Sequence, residues 1–240
     1  MTFPKTPDQN EAGASLQVTG GELGVQRIAV LLSGRGSNFL AIHQAIDRGD
    51  LPAKIVLVVS NVSSAPGLAK ARALGLQVLA LPHRKELSRA SHEGKLLEAL
   101  RAVEAEWVCL AGYMRLLSGD FVRHFHQRVL NIHPSLLPAF PGLRAQEQAL
   151  KHGVRVTGCT VHFVDEELDN GPIIVQKPVA VMEDDTVSDL SRRLLREEHE
   201  AYPEALKRLF LEPWEVSGRR VLFGSKETGE DSRKRLKKRG

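Results

Sequence analysis

Short continuous apolar runs alternate along this chain with stretches in which large apolar residues return every three or four positions. Residues 28–32 form an unbroken apolar run, as a strand covered on both faces requires. Phe39, Ile42 and Ile46 then recur at helical spacing, and Gly49 closes that stretch. The unit repeats, with strands predicted over 55–59, 78–81 and 107–111. The helices between them are predicted over 65–74 and 88–105, the latter with Leu96, Leu97, Leu100 and Val103 on one face. Strands alternating with helices imply right-handed crossovers and a mostly parallel sheet.

The second half has another rhythm. Residues 129–132, 157–164 and 173–181 read as strands, and the last two face each other across the short 165–172 link. That arrangement predicts an antiparallel pair added to the sheet. Residues 186–211 read as one long helical stretch, broken or kinked near Pro203. Trp107 reads as core, and Trp214, past the last helix, as packing on the surface. The expected fold is thus α/β: a Rossmann-like, mostly parallel twisted sheet flanked by helices, with antiparallel strands in the C-terminal half. The expected organisation is a disordered extension over 1–26, a folded domain over 27–212 and a C-terminal extension over 213–240.

Composition narrows the class. Hydrophobic residues make up 42% of the chain, enough for a substantial core, yet no apolar run approaches the roughly 20 residues of a membrane span. No basic-then-apolar leader pattern opens the sequence, and the expected location is cytoplasmic. Cys109 and Cys159 lie inside apolar runs and read as buried reduced thiols. Between positions 225 and 240 there are seven basic and three acidic residues, which accounts for the whole net charge of +4. Such a block reads as a solvated tail. Nucleic acid is not expected as a partner beyond weak contact through it.

Three segments carry candidate chemistry. Ser33-Gly34-Arg35-Gly36-Ser37-Asn38 joins the first strand to the first helix. It is either an ordinary tight turn or an anion site built on free helix N–H groups. It lacks the Gly-Lys-Ser/Thr ending of an ATP-binding loop and the full dinucleotide glycine pattern, so a monophosphate suits it best. Asn131 and His133 are two residues apart in a strand and share a face. They are either a satisfied polar pair under a loop or a donor pair facing a ligand. The acidic turn at 165–169 either serves solubility or supplies a carboxylate to orient an imidazole. His162, on the strand before that turn, reads as structural, and His43 and His199 as helix-surface or packing residues.

Taken together and in order, these motifs are specific. The Ser33–Asn38 run is followed by Ala111-Gly112-Tyr113-Met114-Arg115-Leu116-Leu117. Asn131-Ile132-His133-Pro134-Ser135-Leu136-Leu137-Pro138 comes next, then His162-Phe163-Val164 with Leu168-Asp169-x-Gly171-Pro172. The set resembles the folate-dependent phosphoribosylglycinamide formyltransferases of the formyltransferase superfamily, over about residues 27–212. The resemblance implies transfer of a formyl group from 10-formyltetrahydrofolate, a cosubstrate, to the amine of a phosphoribosylglycinamide in purine synthesis, with no metal. It implies catalytic roles for Asn131, His133 and Asp169, and contacts from Gly36, Ser37, Asn38 and Glu198 to the phosphoribosyl substrate. Arg89, Met114, Arg115, Leu116 and Leu117, together with Asn131 and with Asp165, Glu166, Glu167, Leu168 and Asp169, are implied to line the folate pocket. The protein is expected to act on small molecules as a monomer or homodimer.

The sequence departs from that pattern in places. Leu195 stands where a nucleotide-binding Gln is expected, and Arg144 and Gln146 where two histidines are. Asn170 replaces a common Gly, and is expected in a left-handed conformation that Asn tolerates. Two neighbouring families are disfavoured by organisation. Formyltetrahydrofolate hydrolases carry a regulatory domain ahead of the catalytic one, and methionyl-tRNA formyltransferases continue into a tRNA-binding domain. Here about 26 residues precede the first strand and 29 follow Leu211. A folate- or nucleotide-binding protein without turnover is the alternative from another class.

Overall fold

A computed structural model describes residues 24–82 and 88–224. The expectations for the two ends, apart from residues 24–26 and 213–224, lie outside the described residues. The chain begins with β1 (Gln26–Leu32), α1 (Ser37–Asp47), β2 (Ala53–Ser60), α2 (Pro66–Ala73) and β3 (Val78–Ala80). It continues through α3 (Arg89–Ala102), β4 (Trp107–Leu110), α4 (Gly119–His124), β5 (Val129–His133) and α5 (Ala145–Lys151). β6 (Val156–Phe163), β7 (Ile173–Ala180), α6 (Val187–Leu211), β8 (Trp214–Ser217) and β9 (Arg220–Phe223) complete it.

The strands form one sheet in the order β3-β2-β1-β4-β5-β6-β7-β9-β8. From β3 to β5 the pairing is parallel, and β5–β6 and β6–β7 are antiparallel. Alternation along β1 shows why an unbroken apolar run is needed. Ile28, Val30 and Leu32 enter one core with Phe39, Ile42, Leu68 and Tyr202. Ala29 and Leu31 enter the other, with Leu96, Leu100 and Phe121. Helices therefore cover both faces, as parallel strands demand. The order turns in opposite directions at β1 and β4, and the crevice beyond the carboxyl ends of those strands is where such sheets hold ligands.

Two expectations need correction. α6 runs through Pro203 as one helix, so the break that the sequence allows there does not occur. Proline removes one helical hydrogen bond and costs about 3 kcal/mol in a helix interior. Here the stripe Leu190, Leu194, Ala201, Tyr202, Ala205, Leu206, Leu209 and Phe210 is fully covered. At about 1.5–3 kcal/mol per large buried side chain, packing outweighs the lost bond. The Tyr202 hydroxyl also reaches the carbonyls of Leu110 and Leu130, each at 3.1 Å, tying the helix to β4 and β5.

The second correction concerns the segment after α6. Residues 214–223 form the β8–β9 hairpin at the sheet's edge. Trp214 is half-buried and packs at the surface as expected: its ring lies 5.4 Å from that of Phe163, and its indole N–H donates to the Leu209 carbonyl at 3.1 Å. Both cysteines are free and buried, and burial pushes each thiol up to about 12. Among the described residues no helix is long and apolar enough to cross a membrane.

Gly158, in the middle of β6, lets β7 and the 134–138 loop close over the strand. A Cβ there would lie 2.1 Å from the Lys177 carbonyl oxygen and 2.6 Å from Leu136 Cδ2. Overpacking of this kind typically costs about 1–3 kcal/mol. Gly158→Ala is expected to lower Tm by roughly 3–10 °C, and an unchanged melting curve would contradict the packing described.

Candidate active site

Asn131 and His133 project from the end of β5, the strand that pairs in parallel with β4 and antiparallel with β6. Asp169 reaches them from the link between β6 and β7. Its carboxylate is nearly buried, with 8% of the side chain exposed. Asp169 Oδ2 accepts from the Gly142 amide at 2.8 Å and lies 3.3 Å from His133 Nδ1. Oδ1 lies 3.5 Å from Asn131 Nδ2 and 3.9 Å from His162 Nε2. On its other side, His133 Nε2 faces the Phe140 carbonyl at 2.9 Å. The ring thus faces two acceptors, and only with a hydrogen on each nitrogen does it donate to both.

Asp169, not Asn170, takes the left-handed conformation, with φ of 52°. This corrects the expectation for Asn170, whose side chain instead contacts Asp165 Oδ2 at 3.4 Å. The register of the link explains the shift. Asp165 Oδ1 accepts from the Glu167 amide at 3.0 Å and closes the first half of the turn. Gly171 must return under the strand end, where a Cβ would sit 1.9 Å from the Phe163 carbonyl oxygen. The reversal falls one residue earlier than expected and turns the carboxylate inward.

His162 belongs to the same cluster, although its sequence position reads as structural. It lies directly opposite Asn131 in the β5–β6 register, the kind of cross-strand pair whose side chains touch. His162 Nδ1 lies 2.8 Å from the Phe163 carbonyl and so carries a hydrogen, which leaves Nε2 to accept from Asn131 Nδ2 at 3.3 Å. Burial, partly offset by the Phe163 carbonyl and Asp169, holds the imidazole below its ordinary value. Position 162, two residues from Thr160 and opposite Asn131, was the available signal.

The turn after β1 forms the second half of the site. Gly36 has φ of 70°, and a Cβ on it would come within 3.0 Å of Gly67 Cα. It precedes α1 without offering a side-chain cap, and the first turn of α1 holds no acidic residue. The N–H groups of that turn are therefore open to an anion. Asn38 is 7% exposed, and its Nδ2 donates to Glu198 Oε2 at 2.8 Å. Asn38 Oδ1 is buried and has no hydrogen-bond partner among the described residues. Burial raises the Glu198 carboxyl above its ordinary value, against the opposing effect of the Asn38 bond. Ser33 ties this turn to the segment after β4: its N–H donates to the Gly112 carbonyl at 3.0 Å and its Oγ accepts from the Met114 amide at 2.7 Å.

The remaining predicted positions divide. Met114 and Leu116 are 68% and 61% exposed, beside half-buried Arg115 and Leu117, and leave an apolar wall open. Leu168, 55% exposed, lies over Gly142. Glu166 turns away from the cluster to pair with Arg123, and Glu167 is exposed. Arg89 opens α3 and pairs with Glu93 at 3.1 Å. Leu195 is half-buried one turn before Glu198. Arg144 pairs with Glu147 at 3.6 Å, and Gln146 is half-buried.

Residues 26–206 match the formyl transferase family. The chain belongs to that family. It is 40% identical over 185 residues to phosphoribosylglycinamide formyltransferase of Bacillus subtilis, covering 77% of this chain and 95% of that protein. It is 45% identical over 186 residues to the trifunctional purine biosynthetic protein adenosine-3 of Drosophila melanogaster, covering 77% of this chain. The chain spans 14% of the length of that multifunctional relative. Among solved structures, glycinamide ribonucleotide transformylase 1 from Symbiobacterium toebii superposes with a TM-score of 0.81 at 48% identity, covering 84% of this chain and 95% of that one.

The titration of His162 gives a test of the geometry. Its value is lowered in the folded chain, so the unfolded chain binds the proton more readily. The stability linked to this group is complete above its unfolded value near 6.5 and is lost as pH falls through the folded value. The slope is at most about 1.4 kcal/mol per pH unit. Tm is expected to fall on acidification from neutral pH, and His162→Gln is expected to make that fall shallower. Equal slopes for the two proteins in calorimetry would contradict a buried neutral ring.

Proposed function

We propose that this protein transfers the formyl group of 10-formyltetrahydrofolate to the amine of N1-(5-phospho-D-ribosyl)glycinamide, a step of purine synthesis carried out in the cytoplasm. The observation that carries the reading is the buried Asp169 carboxylate gathering Asn131, His133 and the Gly142 amide beside an open anion-binding helix start. One half of the site has the donors for a developing oxyanion, and the other has the groups for a phosphorylated sugar.

The phosphate sits on the turn at Gly36, Ser37 and Asn38. Asn38 Oδ1, a buried acceptor without a partner, suits a sugar hydroxyl, since an unmet buried acceptor costs about 1–3 kcal/mol. Glu198 lies beside it. The Gln contact implied by the resemblance is absent, because Leu195 offers no polar atom. The folate lies along Met114, Arg115, Leu116 and Leu117, under the 165–169 turn.

The substrate amine attacks the formyl carbon, and the carbonyl oxygen becomes an oxyanion. Asn131 Nδ2–H and His133 Nε2–H donate to it, His133 exchanging the Phe140 carbonyl for this stronger acceptor. Asp169, 3.3 Å from Nδ1, orients the ring and passes the proton released by the amine onward through water. Collapse breaks the bond from carbon to the folate nitrogen. That nitrogen takes up a proton, leaving tetrahydrofolate and the N-formyl product. The donor is already activated, so the proposed steps are acid–base and electrostatic.

Losing one oxyanion donor typically costs about 10²–10³-fold in rate. Asn131→Ala and His133→Ala are expected to lose that much kcat with small changes in either KM. Near-normal turnover in His133→Ala would remove the ring from the mechanism. The reaction itself is checked by folate release with and without the ribonucleotide. Release is expected only when the ribonucleotide is present. Release without it would point to a hydrolase, and none in either case would point to a binding protein.

A further inference from the structure

We propose that Glu93 is a positioning residue for the formyl donor, fixing both Arg89 and the exit of the 114–117 wall; the inference rests on the folate reading above. Glu93 sits in the first turns of α3, where its carboxylate is buried, with 8% of the side chain exposed. A carboxylate held there needs donors. Oε1 accepts from the Ser118 amide at 2.9 Å and from Arg89 Nε at 3.1 Å, and Oε2 accepts from the Ser118 hydroxyl.

These partners are not arbitrary. Ser118 directly follows the 114–117 wall, and it is the N-cap of α4, its Oγ accepting from the Phe121 amide at 3.3 Å. One carboxylate therefore pins the point at which the wall leaves for the next helix. At the wall's other end, the Met114 amide is held by Ser33 Oγ. His92, the neighbour of Glu93, has its Nε2 3.3 Å from the hydroxyl of Tyr113, the residue before the wall. Met114 and Leu116 themselves are largely exposed. Their placement comes from the two ends, and Glu93 holds one of them.

The same carboxylate orients the Arg89 guanidinium, which is half-exposed and lies on the same side of the sheet. A second tie meets the same helix start: Glu166, from the 165–169 turn, covers Gly119 and pairs with Arg123. That pair is about 60% exposed on both sides, and exposed pairs contribute little. Glu93 is the buried tie, so its loss is felt at the donor pocket. The Asn38–Glu198 half of the site lies beyond β1, on the other face of the sheet, and is untouched.

The test compares wild type, Glu93→Gln and Glu93→Asp in the full chain, reading tetrahydrofolate binding by calorimetry and steady-state KM for both substrates. Glu93→Gln keeps the shape but removes one acceptor and the charge. It is expected to weaken tetrahydrofolate binding and raise the donor KM about tenfold, the effect of one weakened charge-assisted hydrogen bond. The ribonucleotide KM is expected to stay within about twofold, and Glu93→Asp, which keeps the charge, to recover part of the loss. A purely structural role would shift both KM values together, and that result overturns the proposal. Unchanged donor binding in Glu93→Gln overturns it while leaving the formyl-transfer reading intact. Failure of the wild type to bind tetrahydrofolate would overturn both.

Discussion

A buried carboxylate has to be surrounded by donors, and the site is organised around meeting that demand at Asp169. No single element supplies the partners. His133 and Asn131 come from β5, the Gly142 amide from the loop after it, and His162 from β6. The antiparallel addition to a parallel sheet makes this convergence available. β5 is the strand at which the pairing changes sense, and β6 runs back along it to end beside Val129, whose carbonyl accepts from the Val164 amide. The link then doubles back, so that Asp169 meets Asn131 and His133 further along β5.

The parallel half shapes the proposed phosphate turn by closeness of backbone. A Cβ on Gly36 would meet the Gly67 backbone, and one on Gly67 would meet the Leu32 side chain, and the chain enters α1 with its first amides exposed. Ser33 then joins this turn to the wall after β4. The two ligand regions share a seam along the ends of β1, β4 and β5. In the proposed reaction a donor and an acceptor molecule would be brought to one place by adjacent strands, the entropic part of catalysis.

Much of this was legible in the sequence. The unbroken apolar runs specified a sheet covered on both faces, and β6–β7 pairing followed from the short link between two strand-like runs. The spacing of two put Asn131 and His133 on one face but left open whether they met a ligand, and the resemblance singled them out. Glu198 came from the resemblance alone, and the structure shows it on the buried stripe of α6. What escaped depends on tertiary contacts. β8 and β9 are four residues each, too short to show alternation, and are held by the edge of the sheet. Pro203 reads as a helix breaker until the packed face beneath it is known. Glu166 and Glu93 look alike as solvated helix or turn carboxylates, yet one turns outward to Arg123 and the other inward to Ser118. His162 needed the strand register before its place beside Asn131 became apparent.

The left-handed backbone at Asp169 also bears on how this position can change over time. Asp and Asn carry short polar side chains that accept such a conformation more readily than β-branched residues do. Glu would retain the charge but carry it one methylene further from the backbone, away from the places that Asp169 Oδ1 and Oδ2 hold against Asn131 and the Gly142 amide. The position is filtered twice, once by the proton chemistry and once by the fold. Few single substitutions meet both requirements. Drift in this protein is channelled toward the walls and the outer turns, and away from the hub.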